Sequence, residues 1–232
     1  MDVGAKPVRP VDAAGLVLIR AARGGEPEIL LGRRHNRAGF LPDIYVVPGG
    51  RVAAEDHQPS GFPESLNEAV AAALQSGGTR RPAIAFPRAA LRETHEETGL
   101  LVGVPGRPES TTDQAVWRGY CDAGVAPDFA GFDFVCRAIT PVTSGRRYNT
   151  RFFLADGTQA VGDIRGDGEL VDLAWRRVSA LSGLNIVDVT EYVLKEALRR
   201  WQARLPAGAE PPKLLNYRKD VMTLSRHRSR AF

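Results

Sequence analysis

The segment from Arg92 to Leu100 reads RETHEETGL, and it limits the fold more than any other stretch of the chain. It closes an apolar-spaced run that predicts a helix from about Pro87 to Thr98, with Gly99 as a left-handed cap at its C-terminus. Glu93, Glu96 and Glu97 then fall at i, i+3 and i+4 and crowd one face. Like charges at that spacing cost an isolated helix about 0.2–0.5 kcal/mol per pair. No lysine lies within a turn to offset them, only Arg92. Such a face makes sense where it meets a hard divalent cation, which takes a few carboxylates together with waters and phosphate oxygens. Upstream, Pro48-Gly49-Gly50 supplies a bend where backbone approaches closely.

The remaining elements read as a mixture of short strands and helices. Strands are expected at Ala14–Arg20, Glu28–Gly32 and Tyr45–Val47, and around 100–104, 131–139, 150–155 and 169–175. In the segment 57–82, Pro63 opens a helix with Glu64, Leu66, Ala69, Val70, Ala73 and Leu74 at helical spacing, and Gly77-Gly78 ends it. A long helix is expected from Ile186 to Leu205, with Val189, Val193, Leu194, Ala197, Leu198 and Trp201 on one face. Residues 1–12 form an extended lead-in. Residues 206–212 are a Pro-rich linker, and a basic tail runs from Lys213. No repeat or low-complexity tract is present.

Composition narrows the class. With 232 residues, 43% apolar and 25% charged, the chain is long enough to bury a core without staples and is not of disordered type. No apolar run near the start approaches a membrane span, and the first twelve residues lack a signal-peptide core. Two cysteines, Cys121 and Cys136, make neither a disulfide framework nor a four-Cys zinc site, so a reducing, cytoplasmic setting is expected. The net charge of +4 is misleading. The tail from Lys213 carries six basic residues against Asp220, and the preceding 212 residues sum to −1. Basic residues elsewhere are scattered without interleaved aromatics, which counts against nucleic acid as a partner. His95-Glu96-Glu97 is not the zinc-protease HExxH pattern. His35 and His57 stand alone in expected loops. Oligomeric state is not readable, a symmetric homodimer being the commonest alternative to a monomer.

Together, Pro48-Gly49-Gly50 and Arg92-Glu93-Thr94-His95-Glu96-Glu97-Thr98-Gly99-Leu100 resemble the Nudix box, G-x5-E-x7-R-E-U-x-E-E-x-G-U, where U is a bulky aliphatic residue. Thr94 departs from the aliphatic U position. Gly50 and Arg92 stand 42 positions apart where the box has 14, so about 28 residues are inserted. The first glutamate position, six after Gly50, holds Asp56. Leu30–Arg34, Gly39–Pro42, Ile139–Pro141, Arg147–Phe153 and Glu169–Trp175 extend the resemblance. They point to a branch with an insertion inside the box, of the peroxisomal coenzyme A diphosphatase type. The likeness covers roughly 13–205, the expected domain.

The resemblance implies an α/β/α sandwich with a mixed central sheet and a hydrolase for nucleoside diphosphates linked to another group, X. It implies Mg²⁺ or Mn²⁺ on Glu93, Glu96 and Glu97, with Arg92, Glu96 and Glu97 as catalytic residues. Arg92 would orient the glutamates rather than act as a base. Glu96, Glu97 and Glu169 are alternatives for the general base. Asp56 is either a metal ligand or a loop cap. Gly49, Gly50, Arg33 and Arg34 are the expected substrate contacts, with Arg37 in the same basic loop. A 3′-phosphate of coenzyme A would suit these arginines. Arg37 nevertheless stands two positions from where the family's coenzyme A pattern wants an arginine. The segment 57–82 is expected beside the site as a substrate-selecting element. Thr94 and the displaced first glutamate leave a second reading open, a catalytically weak nucleotide sensor.

Overall fold

The computed structural model describes residues 8–76, 81–109, 114–218 and 221–227. In the first half, β1 (Val11–Ala21) and β2 (Pro27–Arg34) form a hairpin, followed by the short β3 (Tyr45–Val46) and β4 (Gly49–Arg51). Next come α1 (Glu68–Gln75), α2 (Ala85–Thr98), β5 (Leu101–Val102), β6 (Val104–Pro105), α3 (Ala115–Ala123) and β7 (Val125–Ala126). The second half holds β8 (Asp133–Ile139), β9 (Tyr148–Asp156), β10 (Ala160–Val161), β11 (Leu170–Arg177), α4 (Asp188–Gln202), β12 (Lys213–Arg218) and β13 (Val221–Arg226).

Nine of these strands build one mixed sheet. Its order is β11-β2-β1-β9-β8-β12-β13, with β3 added to β2 and β4 to β1. The β1–β9 and β8–β12 pairs are parallel and the other pairs antiparallel. Strand β1 is buried from Ala13 to Ile19, because both faces of the sheet are covered. Leu16 and Leu18 face a core built with Val70 and Leu74 of α1, Phe86 and Leu91 of α2, and Trp117 and Tyr120 of α3. Val17 and Ile19 face the opposite core, with Val193, Leu194 and Ala197 of α4. The period-2 alternation of the strand thus feeds two helical layers, and the α/β/α sandwich expected from sequence is the observed architecture. No described helix is long and apolar enough to cross a membrane.

Several boundaries differ from expectation. β1 begins at Val11, inside the expected lead-in. α1 starts after Asn67 rather than at Pro63, because the Asn67 carboxamide accepts from Ala69 N (2.9 Å) and so caps the helix. The stretch before it is held in a turn by Glu64, which accepts from Ser60 N (2.8 Å) and pairs with buried Arg88. Gly77-Gly78, the expected terminator, lies outside the described residues. α3 has no counterpart in the sequence reading. Gly99 caps α2 as expected, at φ +75°, its N–H donating to His95 O (2.7 Å).

The basic tail is the largest difference. Lys213–Arg218 form a strand of the central sheet, parallel to β8, and β13 closes the hairpin beyond it. Arg200, 1% exposed on α4, anchors the approach to this strand. It donates to Asp133 (2.9 Å) and Glu196 (2.9 Å) and to the carbonyls of Glu210 and Pro211 in the linker. Asp133 also accepts from Gly208 N (2.9 Å). Removing one partner of such a pair strands a buried charge, at about 3–5 kcal/mol. Arg200→Ala is therefore expected to lower the urea midpoint by that order with the m-value retained. Adding Asp133→Ala should restore part of the loss, because the stranded carboxylate is then gone.

Candidate active site

The site forms where β4 meets α2. Strand β4 pairs antiparallel with β1, and Gly49 packs against the β1 backbone so closely that a Cβ would strike Ala14 O. A Cβ on Gly50 would overlap the Glu93 carboxylate. These two glycines therefore let the glutamate face of α2 lie directly on the strand. The Gly49 N–H donates to Glu97 Oε2 (2.8 Å).

Arg92 fixes the orientation of the helix face. Only 6% exposed, it donates through Nε and Nη2 to both oxygens of Asp56 (2.9 and 3.0 Å) and to Arg51 O (2.9 Å). Its Nη1 also reaches Glu96 (2.9 Å) and Glu93 (3.0 Å). Asp56 is 1% exposed and also accepts from Ala53 N (2.7 Å). Both its oxygens are thus spent on Arg92 and the local backbone, which favours the cap over the ligand among the two roles expected for it. Burial lowers the Arg92 pKa and the Asp56 carboxylate outweighs it, so the guanidinium is held more firmly charged than usual.

A cleft of about 410 Å³ opens in front of this arrangement. Glu93 and Glu97 line it from α2, together with Gly49 and Gly50. Arg34 enters from β2, Arg146 from the β8–β9 connection, and Glu169 from the approach to β11. Burial raises the Glu93 pKa. Burial also pushes Glu97 up to about 8, although the Gly49 N–H pulls the other way.

The structure does not gather every expected residue. Glu96 is exposed and turned to Arg92, outside the cleft lining. Arg33 points across β2 from Arg34 and pairs with Asp43 (2.5 Å) on the surface. Arg37 is likewise absent from the lining. No residue of 57–82 lines the cleft either, since α1 packs into the core beside β8. The expectation that this segment stands over the site is corrected accordingly. His95 leans on α3 at Gly119, and Trp117 is core. Arg146 and Tyr148 were not singled out as site residues. Their signal lay in the Arg146–Tyr148 run ahead of a strand, which reads as an ordinary solvated turn.

Among the described residues, no group of three or more His, Cys, Asp or Glu is assembled as a metal cluster. The donor chemistry nonetheless fits a hard divalent cation. Glu93 and Glu97 share one cleft with no cation pairing Glu97, and both resist ionisation there.

No family model matches the chain. An acyl-coenzyme A diphosphatase, NUDT19, from Gallus gallus is 28% identical over 180 residues, which take in 55% of this chain and 47% of that protein. The chain thus matches about half the length of that curated relative. A Nudix hydrolase from Alicyclobacillus acidocaldarius superposes with a TM-score of 0.66 at 26% identity, covering 88% of this chain and 99% of that one. A MutT Nudix hydrolase from Burkholderia pseudomallei matches with a TM-score of 0.48 at 17% identity, covering 82% and 98%.

Glu97 carries a pH signature in the metal-free chain. Its pKa is about 8 when folded and about 4.5 in the ordinary, exposed state. Folding takes up a proton between these values, so the group weakens the fold as pH rises through that window. Glu97→Gln should match the wild type near pH 4.5 and exceed it by a few kcal/mol, to order of magnitude, near pH 9. Urea midpoints in the presence of a chelator provide the measurement, and a pH-independent difference would contradict the assignment.

Proposed function

We propose, on the premise that the chain belongs to the Nudix hydrolase superfamily, that it hydrolyses the diphosphate linkage of a nucleoside diphosphate joined to a further group X. The observation that carries this reading is the composition of one cleft: Glu93 and Glu97 with Arg34 and Arg146. A diphosphate needs both kinds of partner, arginines for its peripheral oxygens and a carboxylate-held cation at the scissile phosphorus. Bound Mg²⁺ or Mn²⁺ would supply charge neutralisation and a water of lowered pKa.

The chain's own residues have separable tasks in this reading. Glu93 and Glu97 hold the cation. Arg92 acts as a positioning residue, locking the helix face through Asp56 and Arg51 O. Arg34 and Arg146 orient the diphosphate. Glu169 is the cleft carboxylate outside the α2 cluster, and it stands available to accept the proton of the attacking water. That attack forms one P–O bond, breaks the P–O–P linkage and yields two phosphate-ended products.

Coenzyme A or an acyl-coenzyme A is the first substrate to try. The printed name of the Gallus gallus relative supports it, and so does the arginine-bearing cleft.

The test is a panel of coenzyme A, an acyl-coenzyme A, ADP-ribose and NADH with Mg²⁺ or Mn²⁺, with product identification. Turnover of at least one substrate is expected. Glu97→Gln should reduce it by about 100-fold or more, and Arg92→Lys by roughly 10–100-fold, because lysine cannot grip Asp56 with a planar fork. Calorimetric binding of a nucleotide with no product from any substrate would overturn the hydrolase reading and leave a sensor module.

A further inference from the structure

A second chamber of about 290 Å³ adjoins the cleft. Phe40, Val46, Tyr148, Thr150, Phe152, Thr190 and Arg34 line both, so the two spaces are continuous. Their chemistry differs sharply. The cleft carries the glutamates and Arg146. The chamber carries neither, and is closed instead by Leu41, Ile44, Ala138, Ile139, Val187 and Val189. Arg34 stands at the junction, its enclosed Nε without a hydrogen-bond partner among the described residues. The mouth is polar: Tyr217 of β12 donates to Asp188 at the start of α4 (2.7 Å).

We propose that this chamber seats the X group of the substrate and that X carries an aliphatic chain, so the full ligand class is a nucleoside diphosphate with an alkyl or acyl extension. The inference rests on the hydrolase reading for its diphosphate end. The apolar end stands on the chamber itself. A buried charge or a sugar there would meet few polar partners and would lose its hydration uncompensated. An aliphatic chain gains by the same exchange. About 150 Å³ holds a benzene-sized apolar ligand, so this chamber accepts a group of roughly ten carbons. The unpartnered Arg34 Nε then sits where the diphosphate would pass from the acidic compartment to the apolar one. The wall is also partly C-terminal in origin, since the tail strand contributes Tyr217.

The experiment uses methyl, butyl and octyl esters of ADP on the full chain, with kcat/KM measured with Mg²⁺ and affinity measured by calorimetry without it. Each buried methylene is worth roughly fourfold. The octyl ester is therefore expected to exceed the methyl ester at least tenfold in kcat/KM and in affinity. Ile139→Asp and, on the covering loop, Leu41→Asp should bring that ratio to near one. The methyl ester serves as the folding control in each preparation. Equal affinity and turnover along the ester series would overturn the chamber assignment while leaving the hydrolase reading intact. A chain-length gain in affinity with no turnover would uphold the chamber and sink the hydrolase reading instead. A flat ester series combined with a loss on replacing adenine by uracil would place the base in the chamber and overturn the proposal.

Discussion

Arg92 in the grip of Asp56 is the contact on which the site depends. Both groups are almost fully withdrawn from water, and each would be costly to bury alone. Together they satisfy one another, and the remaining guanidinium donors reach Arg51 O, Glu93 and Glu96. One side chain thus ties the end of β4, the turn at Asp56 and the face of α2 into a single unit. The positions of Glu93 and Glu97 follow from that tie and from the two glycines that let the helix approach the strand.

A second buried guanidinium organises the far side. Arg200 binds Asp133 at the start of β8 and the carbonyls of the linker, and so delivers Lys213–Arg218 to the free edge of β8. The consequence reaches the site region, because this strand brings Tyr217 to the mouth of the apolar chamber. The excess positive charge of the C-terminal stretch therefore belongs to a strand and hairpin of the sheet. It is not a measure of what the cleft attracts. The cleft has its own balance, two glutamates of α2 and Glu169 against Arg34 and Arg146.

Much of the site could be read along the chain, for physical reasons. Glu93 and Glu97 lie one helical turn apart, so the helix period alone puts them on one face. Gly99 was legible because a helix C-terminus favours a left-handed residue. Residues joined through space were less legible. Glu96 shares the period of Glu93 and Glu97, yet Arg92 draws it aside, an outcome set by a partner 36 positions away, Asp56, which fixes the guanidinium. Arg33 and Arg34 are adjacent and look equivalent in sequence. The alternation of β2 sends one to Asp43 and the other into the cleft. Arg146 enters by way of a turn whose local sequence resembles any solvated loop.

The sequence by itself determined the alternation of strands and helices, the glutamate face of α2 and the glycine bend before it. Each of these depends on a period or a backbone preference that acts within a few residues. Tertiary structure alone decided three things: that Asp56 anchors Arg92, that the 57–82 segment packs away from the cleft, and that the basic tail becomes a sheet strand. Those outcomes depend on buried charges finding partners and on an open strand edge finding hydrogen bonds, between groups far apart along the chain.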